Sequence, residues 1–361
     1  MYNTVDTIIV GRFVSTRALA AVGTTGPLVN MFSGFFTGLS SGATVILAQF
    51  YGANDPKGVD RTLHTGFSLS LILGLLVTAV GCGLGPTILT WMQTPEECLE
   101  MAGTYLRIYF AGSLASMVYN MEAGILRAMG DSRTPVYSLA AACIVNIIMD
   151  IVLVVYGRMG VAGAALATVL SQIISAGMLL VVLLRQRDFP LRFGELCLDG
   201  RLLKRILLIG IPAGLQFVTF DLSNTLIQSG INSFGSVVMA AWAAYTKTDA
   251  VTWMISGAFG VAITTFVGQN YGAHKFDRVR QSVRVCLAMS ICTVGVLSLT
   301  IVAFRSTILG IYTADSQVIE TGSFIMSVIM PFAAVFMPVE IFAGTMRGMG
   351  DSVKPTVVIC L

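Results

Sequence analysis

Four polar side chains inside apolar stretches of this chain have the chemistry of a cation site. They are Asp6, Asn146, Asp150 and Thr168. Carboxylate, amide and hydroxyl oxygens can replace the hydration shell of a hard cation. Two neighbouring carboxylates can instead share a proton, because each charge disfavours ionisation of the other. A third interpretation is a set of unrelated polar contacts between helices, and spacing alone leaves all three open.

The stretches that carry these residues are apolar enough to lie in a membrane. Hydrophobic residues form 55% and charged residues 11% of the 361 residues, and the mean hydropathy is +0.81. Soluble domains carry about a quarter charged residues, so this composition excludes a soluble protein. Backbone groups in lipid must be satisfied within each spanning segment, and no strand-like alternation is present. The sequence therefore predicts an all-α membrane protein.

The predicted segments place the candidate site at one depth. Apolar runs are found at 1–14, 22–50, 63–92, 104–128, 134–156, 160–184, 206–233, 237–269, 282–311 and 323–348, with another starting at 353. At 1.5 Å per residue, Asp6, Asp150 and Thr168 lie roughly 9–12 Å from the same membrane surface. Asn146 is one helical turn from Asp150 and shares its face. Three helices would therefore assemble the site.

An internal repeat with an offset of 220 residues organises the chain. LRAMGDSRTP at 126–135 matches MRGMGDSVKP at 346–355, and QFYGA at 49–53 matches QNYGA at 269–273. A fixed offset indicates a duplicated architecture, which we interpret as two parallel six-helix repeats. We predict an N-lobe at 1–184, a cytoplasmic linker at 185–205 and a C-lobe at 206–361.

Applied to the chain ends, the same offset predicts a twelve-helix protein truncated at both ends. Residue 1 corresponds to residue 221, whereas the second half starts near 206, so about fifteen residues of the first helix are expected to be missing. Residue 361 corresponds to residue 141, so counterparts of 142–184 are expected to be missing as well. About ten and a half helices are therefore predicted, with helices 7–11 forming an incomplete C-lobe.

Lysine and arginine are concentrated on one side of the predicted segments. That side carries Lys57, Arg61, Arg127, Arg133, Arg185, Arg187, Arg192, Arg201, Lys204, Arg205, Lys275, Arg278, Arg280, Arg284, Arg347 and Lys354. The other side carries Arg12, Arg17, Arg158 and Arg305. The positive-inside rule places the richer side in the cytoplasm, so the sequence predicts a multi-pass plasma membrane protein with cytoplasmic MGDS loops.

The repeated MGDS phrase is predicted to form a cytoplasmic hinge or clasp. Glycine permits the turn, the aspartate can cap the next helix, and an arginine near a helix C-terminus is favoured by the helix dipole. The residues of the two turn motifs are Arg127, Gly130, Asp131, Arg347, Gly350 and Asp351.

Other ionisable residues lie within apolar segments, where they indicate function by default. Asp221, Lys247 and Asp249 are candidates for a C-lobe coupling site or for substrate contacts, and a structural Lys–Asp pair is the alternative. Glu122 and Glu340 lie nearer the cytoplasmic ends of their segments. We interpret both as packing or interfacial residues.

Taken together, these motifs resemble the multidrug and toxic compound extrusion (MATE) family of bacterial efflux transporters. The resemblance covers essentially the whole chain and rests on YNTVDTIIVG at 2–11, NIIMD at 146–150, the two QxYGA motifs and the two MGDS turns. It implies a cation-coupled antiporter with two six-helix lobes. Residue by residue, Asp6, Asn146, Asp150 and Thr168 match the family's N-lobe cation site, where Na⁺ or H⁺ would bind.

The resemblance also sets expectations for ligands and partners. The exported compounds would be organic, often cationic, drugs, and the protein would be a monomer in the lipid bilayer with no organic cofactor and no nucleic-acid partner. A lipid-linked saccharide flippase of the same superfamily is the nearest alternative. An intramembrane enzyme is less favoured, because the sequence shows no nucleophile–base or metal constellation. A channel is also less favoured, and a flux assay that shows uphill exchange would separate it from a transporter.

Overall fold

The fold is built from α-helices. The computed structural model describes residues 2–91, 94–313 and 315–360, apart from the side chains of residues 2–5, 7, 8, 16 and 86. The α-helices are α1 Tyr2–Phe13, α2 Thr16–Gly52, α3 Pro56–Trp91, α4 Glu96–Ala111, α5 Ser113–Ala128, α6 Arg133–Asp150, α7 Gly160–Leu184, α8 Gly200–Asn232, α9 Ser236–Gly272, α10 Phe276–Ala303, α11 Arg305–Tyr312, α12 Ser316–Ile329, α13 Ala333–Gly348 and α14 Val353–Cys360. A π-helical turn at Ile151–Tyr156 and 3₁₀ turns at Phe193–Glu195 and Met330–Phe332 complete the described elements, which include no strand.

The prediction of an all-α membrane protein is confirmed. In the described part of the chain, eight helices, some with a short irregular turn inside, are long and apolar enough to cross a bilayer. They are Arg17–Gly52, Pro56–Gly85, Arg133–Tyr156, Gly160–Leu184, Gly200–Asn232, Ser236–Gly272, Phe276–Ala303 and Ser316–Gly348.

Three predicted segments are divided between two α-helices, and in one of them, 323–348, the 3₁₀ turn at Met330–Phe332 separates α12 from α13. The segment 104–128 becomes α4 and α5, which meet at Gly112, and 282–311 becomes α10 and α11, which meet at Phe304. A Cβ atom at Gly112 would lie 2.5 Å from a methyl carbon of Val169, so the glycine allows the α4–α5 junction to approach α7 closely. Val169 directly follows Thr168, so this close approach helps to position the candidate site.

The helix boundaries reproduce the 220-residue repeat. α2 and α9, the two helices that end in the QxYGA motifs, contain 37 residues each, at Thr16–Gly52 and Ser236–Gly272. α5 and α13 end at Ala128 and Gly348, again 220 residues apart. The duplication seen in sequence motifs is therefore a duplication of helix lengths and turns.

The two MGDS turns have the same backbone geometry. Gly130 and Gly350 have φ angles of +94° and +98°, a left-handed conformation that glycine adopts without strain. The next N–H groups, of Asp131 and Asp351, donate to the carbonyl oxygens of Leu126 and Met346, both at 2.9 Å, and close the preceding helices. The same local chemistry thus ends α5 and α13.

Each turn aspartate also caps the helix that follows. The Oδ1 atom of Asp131 accepts hydrogen bonds from the N–H groups of Arg133 and Thr134, at 3.1 and 3.0 Å. Asp351 accepts from the N–H of Lys354 at 3.2 Å and pairs with its ammonium group at 2.9 Å. The side-chain hydrogen bond from Lys354 holds the pKa of Asp351 below its ordinary value. The cap is therefore retained at neutral pH and is lost as the pH falls through that lowered pKa.

The chain divides into two compact units. One comprises Met1–Tyr51 and Asp55–Val218, and the other comprises Gly52–Asn54 and Thr219–Leu361. In the first unit, α3 packs against α4 and α5, and α7 packs against α4, α5 and α6. In the second unit, α9 packs against α10, α12 and α13. The functional lobe and linker boundaries proposed from the sequence stay a prediction.

Candidate functional site

Three helices of the first unit bring the four predicted site residues into one buried cluster. α1 supplies Asp6, α6 supplies Asn146 and Asp150, and α7 supplies Thr168. α1 packs against both α6 and α7, and α6 packs along α7. All four residues are at most 2% exposed. The helices that the sequence predicted to share the site are therefore neighbours in the fold.

Asp6 is the centre of the cluster. The Thr168 hydroxyl donates a hydrogen bond to its Oδ2 atom over 2.7 Å. The side chains of Asn146 and Asp150 also lie within interaction range of the Asp6 carboxyl group. No well-formed hydrogen bond, however, reaches Oδ1 of Asp6, either carboxylate oxygen of Asp150 or either polar atom of the Asn146 amide. These are five buried polar atoms without a protein partner, although such groups are nearly always satisfied in folded proteins.

The backbone changes immediately after Asp150. α6 ends at that residue, and a π-helical turn continues from Ile151 to Tyr156. The turn has the sequence IVLVVY, in which β-branched residues predominate, and their α-helix propensity is slightly lowered. π-helical turns inside α-helices are frequent at functional sites. The turn packs against α1 and α7, so it lies among the helices that carry the cluster.

Tyr105 is a fifth member of the cluster that sequence reasoning missed. Its side chain is 1% exposed, and its hydroxyl has no hydrogen-bond partner of good geometry. It lies close enough to Asp6, Asp150 and Thr168 to interact with them. The apolar run predicts a helix start at 104, which would place Tyr105 at the membrane surface. α4 instead begins at Glu96, so Tyr105 lies well inside the helix, and the Pro-Glu-Glu helix-start signal at 95–97 is the feature that could have revealed it.

The donor set fits a small cation or a proton. Asp6, Asp150, Asn146, Thr168 and Tyr105 supply oxygen atoms, the ligands that hard cations prefer. Two buried carboxylates at interaction distance repel each other unless a cation or a proton lies with them. The cluster can therefore bind Na⁺ through its oxygens, or hold a proton on one carboxyl group.

Comparisons with known proteins show the family to which the chain belongs. The MatE family model matches residues 1–152 and 212–361 of the chain. The chain belongs to the MATE family. A probable multidrug resistance protein of Bacillus subtilis, YoeA, is 30% identical over 97% of this chain and 77% of its own length. The probable multidrug resistance protein NorM of Thermotoga maritima is 26% identical over 99% of this chain and 78% of its own length.

Solved MATE structures have the same fold. The crystal structure of a MATE transporter in complex with MaL6 matches with a TM-score of 0.91 and 22% identity, over 99% of this chain and 81% of the solved chain. An outward-facing structure of a multidrug resistance MATE transporter of the MOP superfamily matches with a TM-score of 0.90 and 23% identity, over 99% and 80%. At this level of identity the likeness supports the fold.

In the second unit of this MATE protein, Asp249 is held by its own helix. Its Oδ2 atom accepts hydrogen bonds from the indole N–H of Trp253 at 2.9 Å and from the hydroxyl of Tyr245 at 3.3 Å. Lys247 is exposed instead of paired with it. The predicted structural Lys–Asp pair is therefore wrong, because residues two apart on an α-helix point about 200° away from each other. Asp221 is partly exposed on α8.

The two arginines before the MGDS turns have different surroundings. Arg347 forms an ion pair with Glu340 in which Nη2 and Oε1 are 3.1 Å apart, and both side chains are at most 16% exposed. Arg127, its repeat counterpart, is also largely buried, but its Nε atom has no hydrogen-bond partner. Glu340 is thus a partner in a structural ion pair, in line with the packing role proposed from the sequence.

One other cluster in the described part of the chain has the side-chain types of a metal site, namely Asp60, His64 and Glu195. Its imidazole is already engaged on both sides. Nδ1 of His64 lies 2.8 Å from the carbonyl oxygen of Asp60, to which it must donate. Nε2 accepts a hydrogen bond from the N–H of Arg192 at 3.1 Å. No ring nitrogen is left for a metal, so the arrangement attaches the segment after α7 to α3.

Proposed function

We propose that the protein is a cation-coupled antiporter that exports organic, often cationic, compounds across the plasma membrane. Na⁺ or H⁺ would bind at Asp6 and Asp150, with Asn146 and Thr168 as neutral ligands and Tyr105 as an additional hydroxyl. The observation that carries the proposal is the buried cluster in which both carboxyl oxygens of Asp150, one of Asp6 and the amide of Asn146 lack protein partners. The names of the relatives, which are probable multidrug resistance proteins, support the substrate class.

Ion binding at this cluster would change the balance between conformations. A ligand shifts a conformational equilibrium only when it binds two states with different affinity. α1, α6 and α7 each contribute to the cluster, so any movement of one helix relative to the others changes the number of oxygens around the ion. A bound ion would then favour the conformation in which α1, α6 and α7 are packed together, and release of the ion would favour their separation.

The first test is transport driven by an imposed gradient. The protein is reconstituted into vesicles loaded with a fluorescent organic cation, and a Na⁺ gradient or a pH gradient is applied in separate experiments. We expect one of the two gradients to drive uphill movement of the dye, because antiport links the two flows. An ionophore that dissipates the gradient is the control and should abolish the movement. Dye flux that only ever runs downhill would indicate a channel and would overturn the proposal.

The same experiment distinguishes an antiporter from a lipid-linked saccharide flippase. A flippase would move lipid headgroups across the bilayer without a response of the dye to either gradient. The relatives described above are named probable multidrug resistance proteins, and these names do not favour a flippase. The transporter family likewise favours transport over an intramembrane enzyme.

A second prediction concerns orientation in the membrane. Single cysteines introduced at Thr94 and Ser316, in intact cells, should react with a membrane-impermeant thiol reagent. Cysteines at Asp55 and His274 should react only after the membrane is opened, because the basic loops face the cytoplasm under the positive-inside rule. The four positions lie at or beside helix ends in the structure, so all four are suitable for labelling. The opposite labelling pattern would refute the charge-based orientation.

A further inference from the structure

Glu122 is a buried carboxylic acid outside the Asp6 cluster. It lies in α5 with an exposed fraction of 0%, and neither of its carboxyl oxygens has a hydrogen-bond partner. The residues one turn away on the same helix, Val118 and Leu126, are buried and apolar. A carboxylate at this position has lost its hydrogen bonds to water and has gained no hydrogen bond from the protein. An ionised group is strongly disfavoured there, whereas a protonated, neutral acid is tolerated.

Among the described residues, no charged group compensates for the burial of Glu122. On α5 itself, neither Tyr119 nor Arg127 forms a hydrogen bond with Glu122. α5 packs against α3, α4, α6 and α7, and it approaches α2 closely at Gly124, where a Cβ atom would meet the Thr44 hydroxyl. None of the titratable side chains described on these five helices forms a hydrogen bond with Glu122.

Several titratable side chains of the neighbouring helices are engaged elsewhere. On α3, the imidazole of His64 is bonded to Asp60 and to the segment after α7. On α6, Asp150 faces Asp6. The one charged side chain of α2, Arg17, pairs with Glu97 of α4, and α7 carries no titratable residue. Both carboxyl oxygens of Glu122 are therefore left without a hydrogen-bond partner.

The internal repeat shows why Glu122 forms no ion pair, whereas Glu340 does. In the second half, Glu340 pairs with Arg347. The first-half positions that correspond to this pair are Asn120 and Arg127. The carboxyl group of the first half therefore lies two positions further along its helix, about 200° around the axis from the position that pairs with arginine. The position that corresponds to Glu340 is occupied by Asn120. Its amide N–H donates a hydrogen bond to the carbonyl oxygen of Ser116, and its amide oxygen accepts one from the hydroxyl of Thr37.

We propose that Glu122 is a second proton-binding site of the first unit, separate from the Asp6–Asp150 cluster and protonated in the conformation described here. The group is closed to water in this arrangement, so the proton enters and leaves when α5 and its neighbours move apart. On such a movement the carboxylic acid meets water, releases its proton and becomes a carboxylate. The inference concerns proton binding and holds whichever ion the Asp6 cluster takes.

Infrared spectroscopy of the reconstituted protein tests the protonation state directly. The wild type at neutral pH should show a carboxylic acid C=O band that is lost in Glu122→Gln. Gln is uncharged and nearly isosteric with protonated Glu, so the fold should be retained. Glu340→Gln is the matched control, which should keep that band and lose carboxylate absorption instead. If Glu122→Gln fails to accumulate, Glu122→Met gives the same comparison with an apolar side chain of similar length.

Transfer into D₂O then tests whether the site exchanges its proton. The Glu122 band should shift to lower frequency during incubation as the proton is replaced by a deuteron. Loss of carboxylate absorption in Glu122→Gln, with no change in the carboxylic acid band, would show an ionised group and overturn the proposal. A band that never shifts in D₂O would show a permanently sealed acid, and would equally contradict a working proton site.

Discussion

Asp150→Asn is expected to abolish gradient-driven export while the protein still inserts and folds. The substitution keeps the size of the side chain but removes its charge, so a cation loses its strongest ligand and a proton loses its carrier. Removing one partner from a buried charge contact costs about 3–5 kcal/mol, which weakens ion affinity roughly 100- to 4,000-fold. Uphill dye export in reconstituted vesicles is the measurement, with either gradient imposed.

A matched control separates the site from a general loss of negative charge. Glu100 is an exposed carboxylate on α4, the helix that supplies Tyr105. Glu100→Gln removes the same charge outside the cluster and should leave export close to that of the wild type. Binding of the organic cation to Asp150→Asn, measured at equilibrium, should persist, because the cluster is proposed to take the coupling ion. Full uphill export by Asp150→Asn would refute the proposed mechanism.

Asp6→Asn should have the same effect as Asp150→Asn, and combining the two changes should add little. The two carboxyl groups lie within interaction range, and Thr168 donates to one of them. Residues that act on one ion as a unit show strongly non-additive effects. A double variant that is far worse than either single variant would indicate two independent sites.

The site could be predicted from the sequence to the extent that it depends on helix periodicity. Asn146 and Asp150 are four residues apart, so they must share a helix face, and depth counting brings Asp6 and Thr168 to the same level. Tyr105 could not be found in this way, because the apolar run hides the polar first turn of α4 at Glu96–Glu97. The burial that leaves Glu122 without a partner was equally out of reach, since it depends on which side chains of neighbouring helices are apolar.

The fold was predictable in the places where local chemistry repeats. The MGDS turns recur because a left-handed glycine and a capping aspartate end one helix and begin the next. The breaks at Gly112 and Phe304 were missed, because hydropathy continues across them and only tertiary contacts show where a helix is interrupted. The interpretation of Lys247 and Asp249 as a pair failed for a local reason, since Asp249 is bonded to two aromatic side chains on its own helix face.

Gly38→Ala should be among the most destabilising single changes in the first unit. A Cβ atom at position 38 on α2 would lie 2.3 Å from the backbone nitrogen and 2.4 Å from the Cα atom of Gly214 on α8. Backbone atoms cannot rotate out of the way as a side chain can, so the two helices must separate along their contact. Small residues at helix contacts in membranes permit this close approach of backbones. Overpacking typically costs about 1–3 kcal/mol, and we expect about 3 kcal/mol or more here.

Gly23→Ala is the matched control for Gly38→Ala, because it adds the same methyl group to the same helix. Gly23 lies on the same helix, and a Cβ atom there would meet nothing within 4 Å. Alanine favours a helix over glycine by about 1 kcal/mol in water-exposed positions, so Gly23→Ala should be neutral or slightly stabilising. The temperature at which the detergent-solubilised protein unfolds is the measurement, and it should fall for Gly38→Ala only. Both variants add the same methyl group, so their effects on stability can differ only through the atoms that the methyl group contacts. Equal unfolding temperatures would therefore mean that α2 and α8 do not cross at Gly38 and Gly214.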